Sequence, residues 1–158
     1  MLKGVMEDEM RFRDCLCFQL GKASRKMAKF YRMRLAPYGL THNQFFLLIA
    51  LYEGEGLSVS ELADKVALDK ATMTGLLDRM ERDDLIRREK DSTDRRTYRI
   101  YLTERAEALR EDMMRIYREV NGLFLSCLWP GERRVLERIM AKIEALAEEG
   151  MMDEGGKA

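Results

Sequence analysis

Two helix starts lie only eleven residues apart, at Ser58 and Asp69, and no other feature of the chain narrows its fold as much. Ser58 and Glu61 stand three residues apart, where each can satisfy the other's free backbone donor in a capping box. Asp69 supplies the next N-cap, after a tight connection through Ala67 and Leu68. The first helix must therefore end near Val66, while the second runs on to about Asp83. Two short helices joined this closely make a helix-turn-helix.

After Asp84 the apolar period falls from 3.6 to about 2. Residues 85–90 and 97–102 read as strands, the second alternating Tyr98, Ile100 and Leu102 against Thr97, Arg99 and Tyr101. The polar residues 91–96 between them form a hairpin tip, so a wing follows the helix-turn-helix directly.

Everything else reads as helix. Over residues 11–36, Leu16, Leu20, Ala23, Met27 and Phe30 fall on one stripe, and Pro37 and Gly39 end the helix. Thr41 caps a helix over 42–52 that is apolar almost all round and hence buried. Thr103 caps another reaching about Leu128, with Ala106, Leu109, Met113, Ile116, Val120, Leu123 and Cys127 on its stripe. Pro130 suits the first turn of a last helix, striped by Val135, Leu136, Ile139, Met140, Ile143 and Leu146. Residues 151–158, Gly-rich and acidic, read as a frayed tail.

One subunit offers nothing large enough to cover all these stripes. The expected fold is mainly α with a small β-wing: a winged helix-turn-helix with uncovered apolar stripes on its N- and C-terminal helices, which the family resemblance given below implies interlock with a second copy. Residues 1–37 and 104–150 would form the dimerisation region, 38–103 the winged lobe and 151–158 a flexible tail. No apolar run reaches the roughly 18 residues of a membrane span, and the first ten residues carry acids rather than a signal peptide's basic start. A cytoplasmic location is expected.

The chain is 35% charged with a formal net charge of zero, which at first argues against a polyanionic partner. Local charge decides, however. Residues 85–99 hold six basic side chains against three acids, and residues 11–34 hold eight against one. On a helical wheel Met73, Leu76, Leu77 and Met80 share one face of the helix after Asp69. The opposite face shows Ala71, Thr72, Thr74, Gly75, Asp78, Arg79 and Arg82, and Lys70 at the helix start joins the candidate DNA contacts. Ala71 and Gly75 lack bulk and would let the backbone approach base edges, while the threonines can bond to bases or phosphates. Arg95 and Arg96 at the hairpin tip suit the negative potential of a narrow minor groove. Asp94 is expected to orient one of them or to pair with Arg79. A solvated face or a solvated tip is the plainer reading of either part alone. A capped helix-turn-helix followed at once by a basic wing points to double-stranded DNA.

The stretch from about Cys17 to Leu109 resembles the MarR family. Its most specific part is LxxxMxxxxLIxRxxxxxDRRxxxxxLT, which runs from Leu76 to Thr103. The resemblance implies a homodimer holding two winged lobes over successive major grooves of a pseudo-palindromic operator. It also implies a transcriptional regulator, commonly a repressor, that is released by an effector.

Residues 16–25, LCFQLGKASR, look like the first helix of the branch of that family that senses organic hydroperoxides. There a cysteine is oxidised to a sulfenic acid and DNA is released. Cys17 matches that cysteine, and Tyr31 matches one of the tyrosines that contact its thiolate. Gly21 stands where the branch has a second tyrosine, and His42 where a third comes from the second copy. Cys127 lies near, but not at, the position of a resolving cysteine; on its stripe it otherwise reads as a core residue. Cys15 and Cys17 point to nearly opposite helix faces and should not pair. An aromatic or anionic small molecule is the alternative effector, drawn by the basic first helix.

Three cysteines without metal-ligand spacing and one histidine leave no metal site, and no cofactor is expected. An enzyme using Cys17 and His42 as nucleophile and base would need a third orienting group, and none is evident. A winged helix used only for protein contacts would leave Arg95 and Arg96 without purpose.

Overall fold

The computed structural model describes residues 11–155, with side chains described up to residue 150. A 3-10 turn, Phe12–Asp14, precedes helix α1 (Leu16–Leu35), and a second such turn, Ala36–Tyr38, follows it. Then come α2 (His42–Glu53), β1 (Leu57–Ser58), α3 (Val59–Lys65), α4 (Lys70–Arg82), β2 (Ile86–Lys90), β3 (Tyr98–Leu102), α5 (Glu104–Ala108), α6 (Arg110–Leu125) and α7 (Pro130–Gly155). The chain divides into two compact units, Met1–Arg118 and Glu119–Ala158.

In the first unit, α2 is the central element. Phe45, Leu47, Leu48 and Leu51 are almost fully buried. Leu62 of α3, Met73, Leu76, Leu77 and Met80 of α4, and Ile100 and Leu102 of β3 are buried in the same unit. The α4 residues are those the wheel assigned to its inner face. Thr41 starts α2 with a reciprocal box: its hydroxyl accepts from the Gln44 N–H, and its own N–H donates to Gln44 Oε1 at 2.9 Å. Gln44 is itself buried, and its Nε2 donates to Asp83 Oδ2 at 3.0 Å just past α4. One glutamine thus caps α2 and ties it to the end of α4. Thr41→Ala should lower stability by about 1 kcal/mol, the ordinary value of such a cap, read as a lower urea midpoint at unchanged slope.

Both helices of the helix-turn-helix close without glycine. Ala67 (φ 53°) and Asp84 (φ 55°) take the left-handed conformation. The next residue's N–H then reaches back to a carbonyl of the last turn, Leu68 to Ala63 at 3.0 Å and Leu85 to Met80 at 2.8 Å. This is the hydrogen bond of a Schellman ending, held here by residues that pay no entropy for glycine's freedom.

The sheet has three antiparallel strands in the order β1-β3-β2. β2 and β3 form the expected hairpin, with Ile86 opposite Leu102 and Lys90 opposite Tyr98. The third strand, β1, is only two residues long and was not expected; Leu57 lies opposite Ile100 and Ser58 opposite Arg99.

Three details refine the expected elements. The C-terminal end of α1 packs into the first unit, where Tyr31 and Leu35 are buried and the Tyr31 ring lies 5.3 Å from that of Phe45 in α2. The helix expected from Thr103 to Leu128 is irregular at Leu109, whose N–H is shared between the Arg105 and Ala106 carbonyls, and it ends at Leu125. The last helix continues to Gly155, into the expected tail; residues 156–158 of that tail and 1–10 of the expected dimerisation region lie outside the described residues.

In the second unit, Pro130 opens α7, and the Trp129 N–H donates to Glu132 Oε2 at 2.8 Å. Val135, Leu136, Ile139 and Leu146 are exposed, and so is Trp129. Along α1, Leu16, Met27 and Phe30 are likewise exposed in the single chain, as is Met33.

Candidate nucleic-acid interface

The outer face of α4 is built as its sequence pattern requires. Lys70, Ala71, Thr72, Thr74, Arg79 and Arg82 are exposed and Gly75 is half-buried. Asp69 accepts from the Thr72 N–H at 2.8 Å and from the Thr72 hydroxyl. These bonds, the hydroxyl's first, hold the Asp69 carboxyl below its ordinary range. Thr74 donates its hydroxyl to the Lys70 carbonyl at 2.9 Å. Both threonines have therefore committed their donors within the helix. What they turn outward is acceptor lone pairs and methyl groups, which suit amino groups of bases and the thymine methyl. A Cβ built on Gly75 would meet nothing within 4 Å, so the space beside it is open.

The wing tip is organised by its acids. Asp91 Oδ1 accepts from the N–H groups of Thr93 (2.7 Å) and Asp94 (3.0 Å) and from the Thr93 hydroxyl. Its Oδ2 pairs with Arg99. The Thr93 hydroxyl, then Arg99 and the two backbone donors, hold its carboxyl well below the usual range. A carboxylate depressed on folding stabilises the folded chain above its unfolded value, near pH 4, and loses that contribution as pH falls through the folded value. Asp91→Asn should therefore flatten the decline of melting temperature on acidification below about pH 4.

Asp94 does not pair with Arg79, nor does it hold a guanidinium. Its Oδ1 accepts from the Arg96 backbone N–H and its Oδ2 from the Thr97 hydroxyl, both at 3.0 Å. It shapes the turn rather than the arginine side chains.

The arginines of the lobe fall into two groups that sequence could not separate. Arg87 pairs with Glu89 at 2.9 Å and donates to the Leu102 carbonyl. Arg88 holds Asp78 (2.6 Å) and Glu81 (3.2 Å) of α4. Arg99 holds Asp91 and Glu61. Among the described residues Arg79, Arg82, Arg95 and Arg96 make no side-chain hydrogen bond or ion pair. The unpaired set is the one assigned to the reading helix and the wing. The acidic partners of the paired set lie up to 38 residues away, beyond the reach of local pattern.

Within one chain the candidate effector residues lie apart, Tyr31 and His42 excepted. Cys17 is exposed in the first turn of α1. Tyr31 lies fourteen residues further along the same helix, a separation of about 21 Å at 1.5 Å per residue. Tyr31 is buried, its ring 5.7 Å from that of His42 and 5.3 Å from those of Phe45 and Phe46. Burial raises the Tyr31 phenol, with Tyr117 adding to it. Burial first, then Arg32, lowers His42 and favours its neutral form. Cys127 is exposed in the single chain rather than in the core, past the end of α6, with its thiol donating to the Phe124 carbonyl at 2.9 Å. Among the described residues no cluster of ligating side chains could hold a metal, and no helix is long and apolar enough to cross a membrane.

Comparison with known proteins agrees with this geometry. The MarR family profile matches residues 40–98. The HTH-type transcriptional regulator MgrA of Staphylococcus aureus is 32% identical over 139 residues, covering 87% of this chain and 93% of MgrA. Among solved structures, the Mycobacterium tuberculosis regulator MOSR in complex with DNA superposes with a TM-score of 0.72 at 30% identity, over 84% of this chain and 98% of that one. The S. aureus MepR–DNA complex gives 0.76 at 25% identity, over 82% and 96%.

Proposed function

The chain belongs to the MarR family of transcriptional regulators, and on that premise we propose that it binds double-stranded DNA as a homodimer and represses transcription until an effector releases it. In this reading α4 enters the major groove and each wing reaches the adjacent minor groove through Arg95 and Arg96. Two copies would span half-sites about one helical turn, roughly 34 Å, apart. Residues 11–37 and 104–150 would hold the copies together, using the exposed apolar side chains of α1 and α7. The protein would work in the cytoplasm, where it meets its operator. One observation carries the reading: the arginines left unpaired are those of the reading helix and wing, while Arg87, Arg88 and Arg99 are tied to the scaffold. Both solved relatives described above were determined with DNA. Because family members are regulators, a nucleophilic enzyme built on Cys17 and His42 is set aside.

Exposure of Cys17 supports a redox route to release. Its thiolate would attack a peroxide oxygen, forming an S–O bond as the O–O bond breaks, with an alcohol leaving and a sulfenic acid remaining. Since Tyr31 lies far along the same helix, a Tyr31 phenol beside that sulfur would have to come from the second copy.

Fluorescence anisotropy of the reduced protein on its own upstream intergenic DNA tests both parts. Competitor-resistant binding that vanishes with an organic hydroperoxide and returns with thiol supports regulator and sensor together. Binding indifferent to peroxide discards Cys17 and leaves a small aromatic or anionic effector. A protein that selects no duplex even from a randomised library overturns the DNA reading.

A further inference from the structure

Arg99 is bonded on both sides of the wing. From β3 its Nε donates to the Asp91 carboxylate at the root of the tip, and its Nη1 donates to the Gly56 carbonyl (3.0 Å) and to Glu61 Oε2 (3.1 Å). The last two partners form the entrance to α3. Glu61 closes the capping box on Ser58. Gly56 holds φ at 78°, with its N–H on the Ile100 carbonyl at 2.9 Å; a Cβ there would sit 3.2 Å from the Tyr101 hydroxyl. On the other side, Asp91 gathers the tip amides of Thr93 and Asp94, and Asp94 gathers that of Arg96. An unbroken run of hydrogen bonds thus leads from the first helix of the helix-turn-helix to the backbone bearing Arg95 and Arg96. The Asp91 side chain at its centre is only 9% exposed.

Resting on the DNA-binding reading above, we propose that Arg99 is a positioning residue: it fixes the wing tip against α3, so that Arg95 and Arg96 stand ready for DNA. The planar guanidinium fork serves partners lying in different directions, whereas an ammonium on a flexible stem cannot bridge them in one geometry. A tip released from this hold must be ordered when DNA binds, and that ordering entropy subtracts from affinity. The effect of Arg99 therefore passes through Arg95 and Arg96 and disappears when they are absent.

Arg99→Lys tests this directly, because it keeps the charge and removes the fork. Without DNA, hydrogen exchange in the full-length protein should quicken at the Thr93, Asp94 and Arg96 amides by about tenfold or more, with α4 amides unchanged. On a duplex enriched by the wild-type protein from a randomised library, affinity should fall about tenfold at a melting temperature near the wild-type value. In an Arg95→Ala/Arg96→Ala background, measured at salt low enough for binding to register, the same change should alter affinity less than about twofold. Tip amides exchanging at the wild-type rate would overturn the proposal. So would a full tenfold loss persisting in the double-alanine background, or faster exchange throughout α4. A wild-type protein that enriches no duplex would instead sink the DNA reading, and the exchange rates would still decide whether Arg99 holds the tip.

Discussion

Replacing Arg95 and Arg96 together by alanine should weaken binding to a specific duplex by roughly 30- to 1,000-fold, at about 1–2 kcal/mol for each guanidinium. Neither side chain has a partner within the described chain, so their removal leaves no buried acid unmatched and no packing gap. Stability should stay within about 0.5 kcal/mol of wild type, as for surface changes away from structural contacts. If both arginines neutralise phosphates or sit in a minor groove, the slope of log K against log salt should flatten by about two. Anisotropy titrations at several salt concentrations measure both quantities at once. A double variant with wild-type affinity and slope would take the wing out of the interface.

Gly75→Leu should move stability and recognition in opposite directions. Gly75 lies in the interior of α4, where glycine is about 1 kcal/mol less favourable than alanine and leucine is close to alanine. The space beside its Cα is open in the single chain, so the new side chain meets no protein atom near its Cβ. The melting temperature should therefore rise by a few degrees. The same side chain would stand between the helix backbone and the base edges. Specific affinity should drop about 100-fold or more, the equivalent of one or two base contacts, while weak binding to random duplex at low salt persists. If Gly75→Leu raises the melting temperature and leaves specific binding intact, α4 does not approach DNA through this face.

Most of the lobe was legible from sequence because its signals are local. The capping box at Ser58 and Glu61, the cap at Asp69 and the alternation of Ile100 and Leu102 each rest on residues a few positions apart, and each is found in place. Strand β1 was not legible because two residues carry no period; only its pairing with Ile100 and Arg99 defines it. The irregularity at Leu109 has no proline or glycine to announce it. The division of arginines into tethered and unpaired is tertiary by nature: Arg88 meets Asp78 from ten residues away, and Arg99 meets Glu61 from across the lobe. Charge counting therefore found a basic wing but overstated how much of that charge is available. The family resemblance likewise linked Cys17 to Tyr31 and to His42 of a second copy, while within one chain the length of α1 sets Cys17 about 21 Å from Tyr31.

The apolar side chains left uncovered on α1 and α7, together with Trp129 just before α7 at 77% exposure, bear on how much of this protein can exist folded at all. In the proposed homodimer, association through these faces would supply part of the free energy that keeps each chain in shape, and that part would follow the law of mass action. Dilution then works as a mild denaturant. A regulator of this kind is at its least robust when it is scarce, early in its own accumulation, and its hold on DNA tightens as the population of chains becomes dense enough to stabilise itself.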